Sequence, residues 1–270
     1  MSNPANAVNT EVPSIARVYD AVLNGKDNFQ VDREVVEGML AAAPDQRTMA
    51  WNNRRWLSRV VGYLADVAGM DQFLDMGSGL PTVQNTHQVA QRWNRDAYVV
   101  YCDNDPAVNA YGRALLVENE QTAFATADLR KPREVLQAPE VRSKLDFDRP
   151  IVLMQCGTLV HVDDENDPWS TMREWVEALP SGSYVAITHG VNPMDGGPLE
   201  QQAFAVERAF HESDMGSGRW RTQGEVEALF EGLTLLEPGV VPVAEWWPSG
   251  PALGDPGVEQ LLSGGVGYKP

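Results

Sequence analysis

Cysteine is scarce in this chain. Only Cys102 and Cys156 occur among 270 residues, each near the end of an apolar run. Cysteines so placed read as reduced strand residues, which favours a cytoplasmic protein over a secreted, disulfide-stapled one. Positive charge is also short: 21 Lys and Arg stand against 38 Asp and Glu, a net charge of -17. A chain of that sign repels a phosphate backbone, so no nucleic-acid partner is expected. The densest basic clusters, Arg54-Arg55 and Arg130-Lys131-Arg133, are small and read as solvated surface. No stretch reaches the roughly 18 apolar residues of a membrane helix, so no membrane partner is expected either. The first twelve residues lack the basic and apolar pattern of a signal peptide and read as a loose arm. No internal repeat, low-complexity tract or metal site is evident.

What remains has ordinary globular composition. Apolar residues spaced as on one helix face predict helices over 13–23, 31–43 and 46–68. Asn24-Gly25 stops the first, Pro44-Asp45 the second and Gly69 the third. Residues 1–70 are thus expected to form a helical cap over the ligand-binding edge. The long third helix leaves room for a homodimer. From 72 onward, short apolar runs alternate with helical segments. Strands are expected at 72–76, 97–102, 122–126, 151–155 and 184–188, and helices at 83–93, 168–179, 198–211 and 222–230. Such alternation predicts a doubly wound, mostly parallel sheet over 71–247. Runs at 233–236 and 240–245 lie close enough to form an antiparallel hairpin at its end. Residues 248–270 are rich in Gly and Pro and read as an irregular tail.

The first strand leads into Asp75-Met76-Gly77-Ser78-Gly79-Leu80-Pro81. Two alternate glycines allow a tight turn and close approach of a ligand to the backbone. The next helix would direct free N–H groups at that ligand. The dinucleotide fingerprint needs a third glycine, and position 82 is Thr. Asp75 disfavours a phosphate and suits an ammonium or a hydroxyl. Asp-x-Gly-x-Gly is the pattern associated with S-adenosylmethionine enzymes, whose ligand is cationic and carries no pyrophosphate. Asp103 ends the second strand, where a carboxylate can accept both ribose hydroxyls. Asp128 ends the third, placed to accept from an adenine amino group with Leu129 against the ring. The blander readings are turn and cap roles, and Asp105, before Pro106, is assigned the N-cap.

Several stretches together resemble a known family. They are Pro13 to Asp20, Gly25 to Phe29, Phe73 to Thr82, Asn85-Thr86-His87, Val100 to Pro106, Ala127 to Arg130, and Pro238 to Val243 with Trp246. The chain resembles an actinobacterial S-adenosylmethionine-dependent methyltransferase family once catalogued as a domain of unknown function. The resemblance implies a class I, Rossmann-like sheet of seven strands with a helical N-terminal extension. It also implies S-adenosyl-L-methionine contacts at Asp75, Gly77, Asp103 and Asp128. Ser78, Gly79, Asn104, Leu129 and Gln155 complete the expected cofactor set. The turn at 25–28 is expected to fold over the cofactor, with Arg17 or Lys26 near its carboxylate and Tyr19 or Phe29 shielding the sulfonium.

Methyl transfer needs alignment and sometimes a base. His161 follows the fourth strand and His189 the fifth, so both are candidate bases, weighed against hydrogen-bonded loop histidines. His87 reads as bracing the glycine turn and His211 as a helix C-terminal dipole partner. Cys156 reads as a small buried residue. The expected reaction is O- or N-methylation of a small molecule, plausible in specialised metabolism. The rivals are a cofactor sensor or non-methylating S-adenosylmethionine protein, and an NAD-dependent oxidoreductase.

Overall fold

The five apolar runs form parallel strands in a computed structural model that describes residues 8–82, 84–247 and 260–270. Strand β1 (Gln72–Met76) is buried along its whole length, as a central parallel strand must be. It lies between β2 (Tyr98–Asp103) and β4 (Val152–Cys156). Outside these lie β3 (Thr122–Thr126) and β5 (Tyr184–Gly190), all five strands being parallel. The order β3-β2-β1-β4-β5 reverses between β1 and β4. Ligands of open α/β sheets bind outside the carboxyl ends of the strands at such a point.

The sheet has eight strands, one more than expected, and the difference lies at the C-terminus. Strand β8 (Leu262–Tyr268) inserts antiparallel beside β5. The described end of the chain, 260–270, is therefore part of the sheet and not an irregular tail. Most of the expected tail, 248–259, lies outside the described residues, as do 1–7 of the arm and Val83 at the expected helix start. The expected hairpin is also corrected. Strands β6 (Thr234–Leu235) and β7 (Val241–Pro242) each pair with β8, at opposite ends of it, and not with each other. Glycine hid β8 from composition. A Cβ at Gly264 would stand 2.8 Å from the Trp56 ring, and one at Gly267 2.8 Å from Leu233. The bare backbone is what lets these side chains close over the strand.

Helices α3 (Gln46–Asp66), α4 (Thr86–Trp93) and α5 (Pro106–Leu115) cover one face of the sheet. Trp56, Val60 and Leu64 of α3 are completely buried there with Phe73, Val99 and Met154. Helices α6 (Pro132–Gln137), α7 (Pro139–Arg142), α8 (Pro168–Ala178) and α10 (Gln223–Glu227) cover the other. The remaining three pack on one another. Helices α1 (Ile15–Val22), α2 (Gln30–Ala42) and α9 (Pro198–Glu212) share a separate core of Val18, Val22, Val36, Met39, Val206 and Phe210. The roof over the strand ends thus combines two N-terminal helices with one from beyond β5, while α3 belongs to the sheet. Among the described residues, no helix is long and apolar enough to cross a membrane.

Candidate functional site

The chain leaves β1 through Gly77 and Gly79, whose φ angles of 65° and 67° are left-handed. Only glycine adopts these without strain. A Cβ on Gly77 would lie 2.3 Å from the Thr158 methyl, so the turn is pressed against the loop after β4. A Cβ on Gly79 would meet nothing within 4 Å, so that glycine borders open space. The amides of Gly77 and Ser78 donate to the Cys102 carbonyl at 2.7 and 3.1 Å, which ties the turn to β2.

Two carboxylates flank this turn. Asp75 is buried and accepts one bond from the Thr86 hydroxyl at 2.6 Å. Burial pushes its pKa up to about 6. Asp103 accepts from the amides of Gly79 and Asp105, both at 2.9 Å, and burial lifts it too to about 6. Asp75, with one donor, is under-supplied with hydrogen bonds for a buried charge and would be eased by a donor arriving from a ligand. Asp105 caps α5, accepting from the Ala107 amide at 2.6 Å. Asp128, half-buried, is held by the Arg130 guanidinium at 2.6 Å, which keeps its carboxyl below the usual range. Leu129 packs against the α8 side of the core, and its carbonyl accepts from Trp175 Nε1 at 2.9 Å. Asn104 is exposed. Ser78 Oγ is buried with no protein partner. Gln155 lies on the opposite face of the sheet from Asp75. Its Oε1 accepts from the Thr158 hydroxyl at 2.9 Å, and its Nε2 is unpartnered.

The structure separates the N-terminal candidates. Arg17 is buried and turned away from the strand ends: it donates to Asp32 at 2.9 Å and to the carbonyls of Asn9 and Val12. Its guanidinium ties the arm to α2 and is not available to a cofactor carboxylate. Lys26 is exposed, as is the Phe29 ring. The turn carrying Lys26 does reach across the edge, because the Asp27 charge lies close enough to Tyr111 of α5 to raise that phenol's pKa. Asp20 holds the turn's shape, accepting from the Asp27 amide at 3.0 Å and from Asn28 Nδ2 at 2.8 Å. Tyr19 is placed inward. Its hydroxyl bonds the Ala50 carbonyl at 3.2 Å and Asn53 Nδ2 at 3.1 Å.

The two histidines also part company. His189 bonds the Gly190 carbonyl through Nδ1 and Arg221 Nη1 through Nε2, both at 2.8 Å. Arg221 can only donate, so Nε2 accepts and Nδ1 carries the proton. No lone pair remains for a substrate, and this removes His189 as a base. Burial lowers its pKa to about 4, and the Arg221 charge acts in the same direction. Arg221, itself 1% exposed, also donates to the carbonyls of Leu159 and Val162 and to Asp164. It pins the loop after β4 to the end of β5. His161 sits on that loop. Its Nδ1 lies 3.2 Å from Ser217 Oγ, and burial brings it down to about 4, so it is neutral at neutral pH. No described residue hydrogen-bonds its Nε2. His87 braces the glycine turn side of the sheet through the Tyr101 hydroxyl at 2.7 Å.

Two further residues stand near the strand ends, Asn53, which sequence reasoning passed over, and Arg54, which it read as surface. Asn53 and Arg54 of α3 lie above the ends of β4 and β1. A Cβ on Gly157 would lie 3.5 Å from Asn53 Nδ2, and Asn53 Oδ1 is buried without a partner. Arg54 is half-buried, and its charge acts on Asp75, Tyr19, Tyr101 and Cys156. Its reading as solvated surface is therefore corrected, while Arg55 is exposed as expected. The available signal was the polar run Asn52-Asn53-Arg54-Arg55 inside an otherwise core-facing helix.

The family model described as S-adenosyl methyltransferase matches residues 1–270. A candidate methyltransferase from Thermobifida fusca is 42% identical, with 98% of this chain and 97% of that one covered and a TM-score of 0.90. A DUF574 family protein from Streptomyces avermitilis is 38% identical, with 97% and 99% covered and a TM-score of 0.91. Human N-acetylserotonin methyltransferase in complex with SAM is 13% identical over 98% of this chain and 63% of that one. Its TM-score of 0.52 marks a shared fold. No curated protein matches.

Proposed function

The chain belongs to the S-adenosyl methyltransferase family, and from that premise we propose that it methylates an oxygen or nitrogen of a small molecule, in specialised metabolism. The residues present fit S-adenosylmethionine. Asp75 and Asp103, both buried and both raised to about 6, lie near the ends of the neighbouring strands β1 and β2, and Gly79, whose amide donates to Asp103, borders open space. That arrangement is the observation that carries the reading. Asp103 takes the ribose hydroxyls, and the Gly77–Gly79 turn lies beneath the nucleoside. Asp128 and Leu129 face the adenine end. Ser78 Oγ and Asn53 Oδ1, orphaned within the protein, supply further polar contacts.

When bound, S-adenosylmethionine supplies a methyl group already activated for in-line displacement by its sulfonium. The protein's own work is then alignment, exclusion of water and, for a hydroxyl acceptor, removal of a proton. Tyr19, with Asn53, roofs the end of β4 and keeps water from that point. His161 is the base in this reading: it is neutral at pH 7, and no described residue bonds its Nε2. The strong negative charge disfavours a polyanionic acceptor, which supports a small neutral or cationic one. The test uses methyl-labelled cofactor with fractionated cell extract. Label is expected in a low-molecular-weight product together with S-adenosylhomocysteine. Label confined to protein or nucleic acid overturns the small-molecule acceptor, and tight binding without any turnover favours a sensor.

A further inference from the structure

We propose that Arg54 binds the carboxylate of the cofactor's amino-acid end, and that with Asp75 it forms a receptor for the zwitterion. The proposal rests on the S-adenosylmethionine reading above. The amino-acid end carries an ammonium and a carboxylate on one carbon. Its receptor needs one anion and one cation facing a common space without cancelling each other.

The cations of the N-terminal segment can be taken in turn. Arg17 is spent on Asp32 and two carbonyls. Lys26 and Arg55 are exposed, and Arg33 donates to Asn28 and to the Gln30 side chain. Arg47 donates to the Val22 carbonyl at the end of α1. Arg59 donates to the carbonyls of Val243 and Trp246. Arg54 alone of these acts on the ends of β1, β2 and β4, through Asp75, Tyr101 and Cys156.

Its position is bracketed by geometry. The preceding residue, Asn53, is the one that sits over Gly157, and Arg54 Nη2 donates to the Gln84 carbonyl at 3.0 Å, just beyond the glycine turn. The guanidinium thus reaches the turn after β1 from a helix whose preceding residue covers the loop after β4. Gln84 is its one hydrogen-bond partner among the described residues, and no described carboxylate pairs with it. A half-buried guanidinium with most of its donors unspent is poised for a planar, two-oxygen anion. Asp75 supplies the opposite end: buried, bonded only to Thr86, and gaining from an adjacent ammonium. Because α3 is anchored by wholly buried Trp56 and Val60, the fork is carried on a rigid element and not on the mobile end of a long side chain in a loop.

Two ligands that share the nucleoside separate this role from a general one. S-adenosylhomocysteine carries the amino-acid end, and 5′-methylthioadenosine lacks it. By calorimetry, Arg54→Gln is expected to weaken S-adenosylhomocysteine by about tenfold to a hundredfold, the loss of a charge-assisted pair of bonds. Methylthioadenosine affinity should stay within about twofold, which also reports that the variant is folded. Arg54→Lys should fall between, keeping the charge and losing the fork. Equal weakening of both ligands, or unchanged S-adenosylhomocysteine affinity, overturns the proposal. If the unaltered protein binds neither ligand, the cofactor reading itself fails, and that outcome is separate.

Discussion

The two halves of the cleft are built by opposite means. On the β1–β3 side, polar groups come from residues within a few positions of a strand end and bond to near neighbours in the chain or on the next strand. Asp75 has one donor and Asp103 two. On the β4–β5 side, polar groups are supplied from far along the chain and are mostly satisfied. His189 meets Arg221 across 32 positions and His161 meets Ser217 across 56. The first half is held by its own neighbouring backbone and side chains, whereas the second is braced by residues from far along the chain.

This contrast can be broken by experiment. The largest effect is expected on the β4–β5 side. Arg221→Met leaves His189 Nε2 and the carbonyls of Leu159 and Val162 buried and unpaired, which costs roughly 3–5 kcal/mol of stability. Urea unfolding measures it. S-adenosylhomocysteine affinity of the folded variant should barely move, and a loss as large as that from a nucleoside-side variant would erase the distinction between the halves.

Next is Asp103→Ala. It removes the ribose contacts, each charge-assisted bond contributing about 1.5–3 kcal/mol. The affinities for S-adenosylhomocysteine and methylthioadenosine should fall together, because both carry the ribose. Unchanged affinity takes Asp103 out of that role.

The smallest effect is a pH dependence. Asp75 and Asp103 are raised to about 6 in the folded protein, above the usual carboxylate value. Each therefore contributes stability that is fully present below the unfolded pKa and is lost as pH rises through about 6. A bound ammonium and ribose favour the ionised forms, so the shift in melting temperature caused by S-adenosylhomocysteine should grow from pH 5 to pH 7.5. Asp75→Asn, which keeps an acceptor for Thr86, should melt higher than the unaltered protein at pH 7.5 without ligand, and that gap should close near pH 4. A ligand shift independent of pH would show that neither carboxylate carries the binding.

Much of this was legible in the chain itself, and the exceptions are instructive. The Asp75–Gly79 turn and Asp103 could be read because each depends on a local event: a strand ends, a glycine follows, and an acid sits beside it. The cap at Asp105 is equally local. Strand β8 could not be read, because Gly264 and Gly267 look like loop residues until Trp56 and Leu233 are seen filling the space where their side chains would be. Arg17 and Arg54 were misjudged in opposite directions. Both are arginines on amphipathic helices, and sequence spacing does not say that Asp32 waits for the first and only the Gln84 carbonyl, among the described residues, for the second.

Composition and periodicity determined the parallel doubly wound core, the glycine turn and the row of acids, because strand burial and turn geometry act over a handful of residues. Tertiary structure alone decided that Arg17 is spent on Asp32 while Arg54 is half-buried on α3, that His189 is locked and that the C-terminus enters the sheet. Those outcomes depend on which distant groups share a desolvated space, where an unpaired donor or acceptor costs enough to choose among conformations that the local sequence leaves equal.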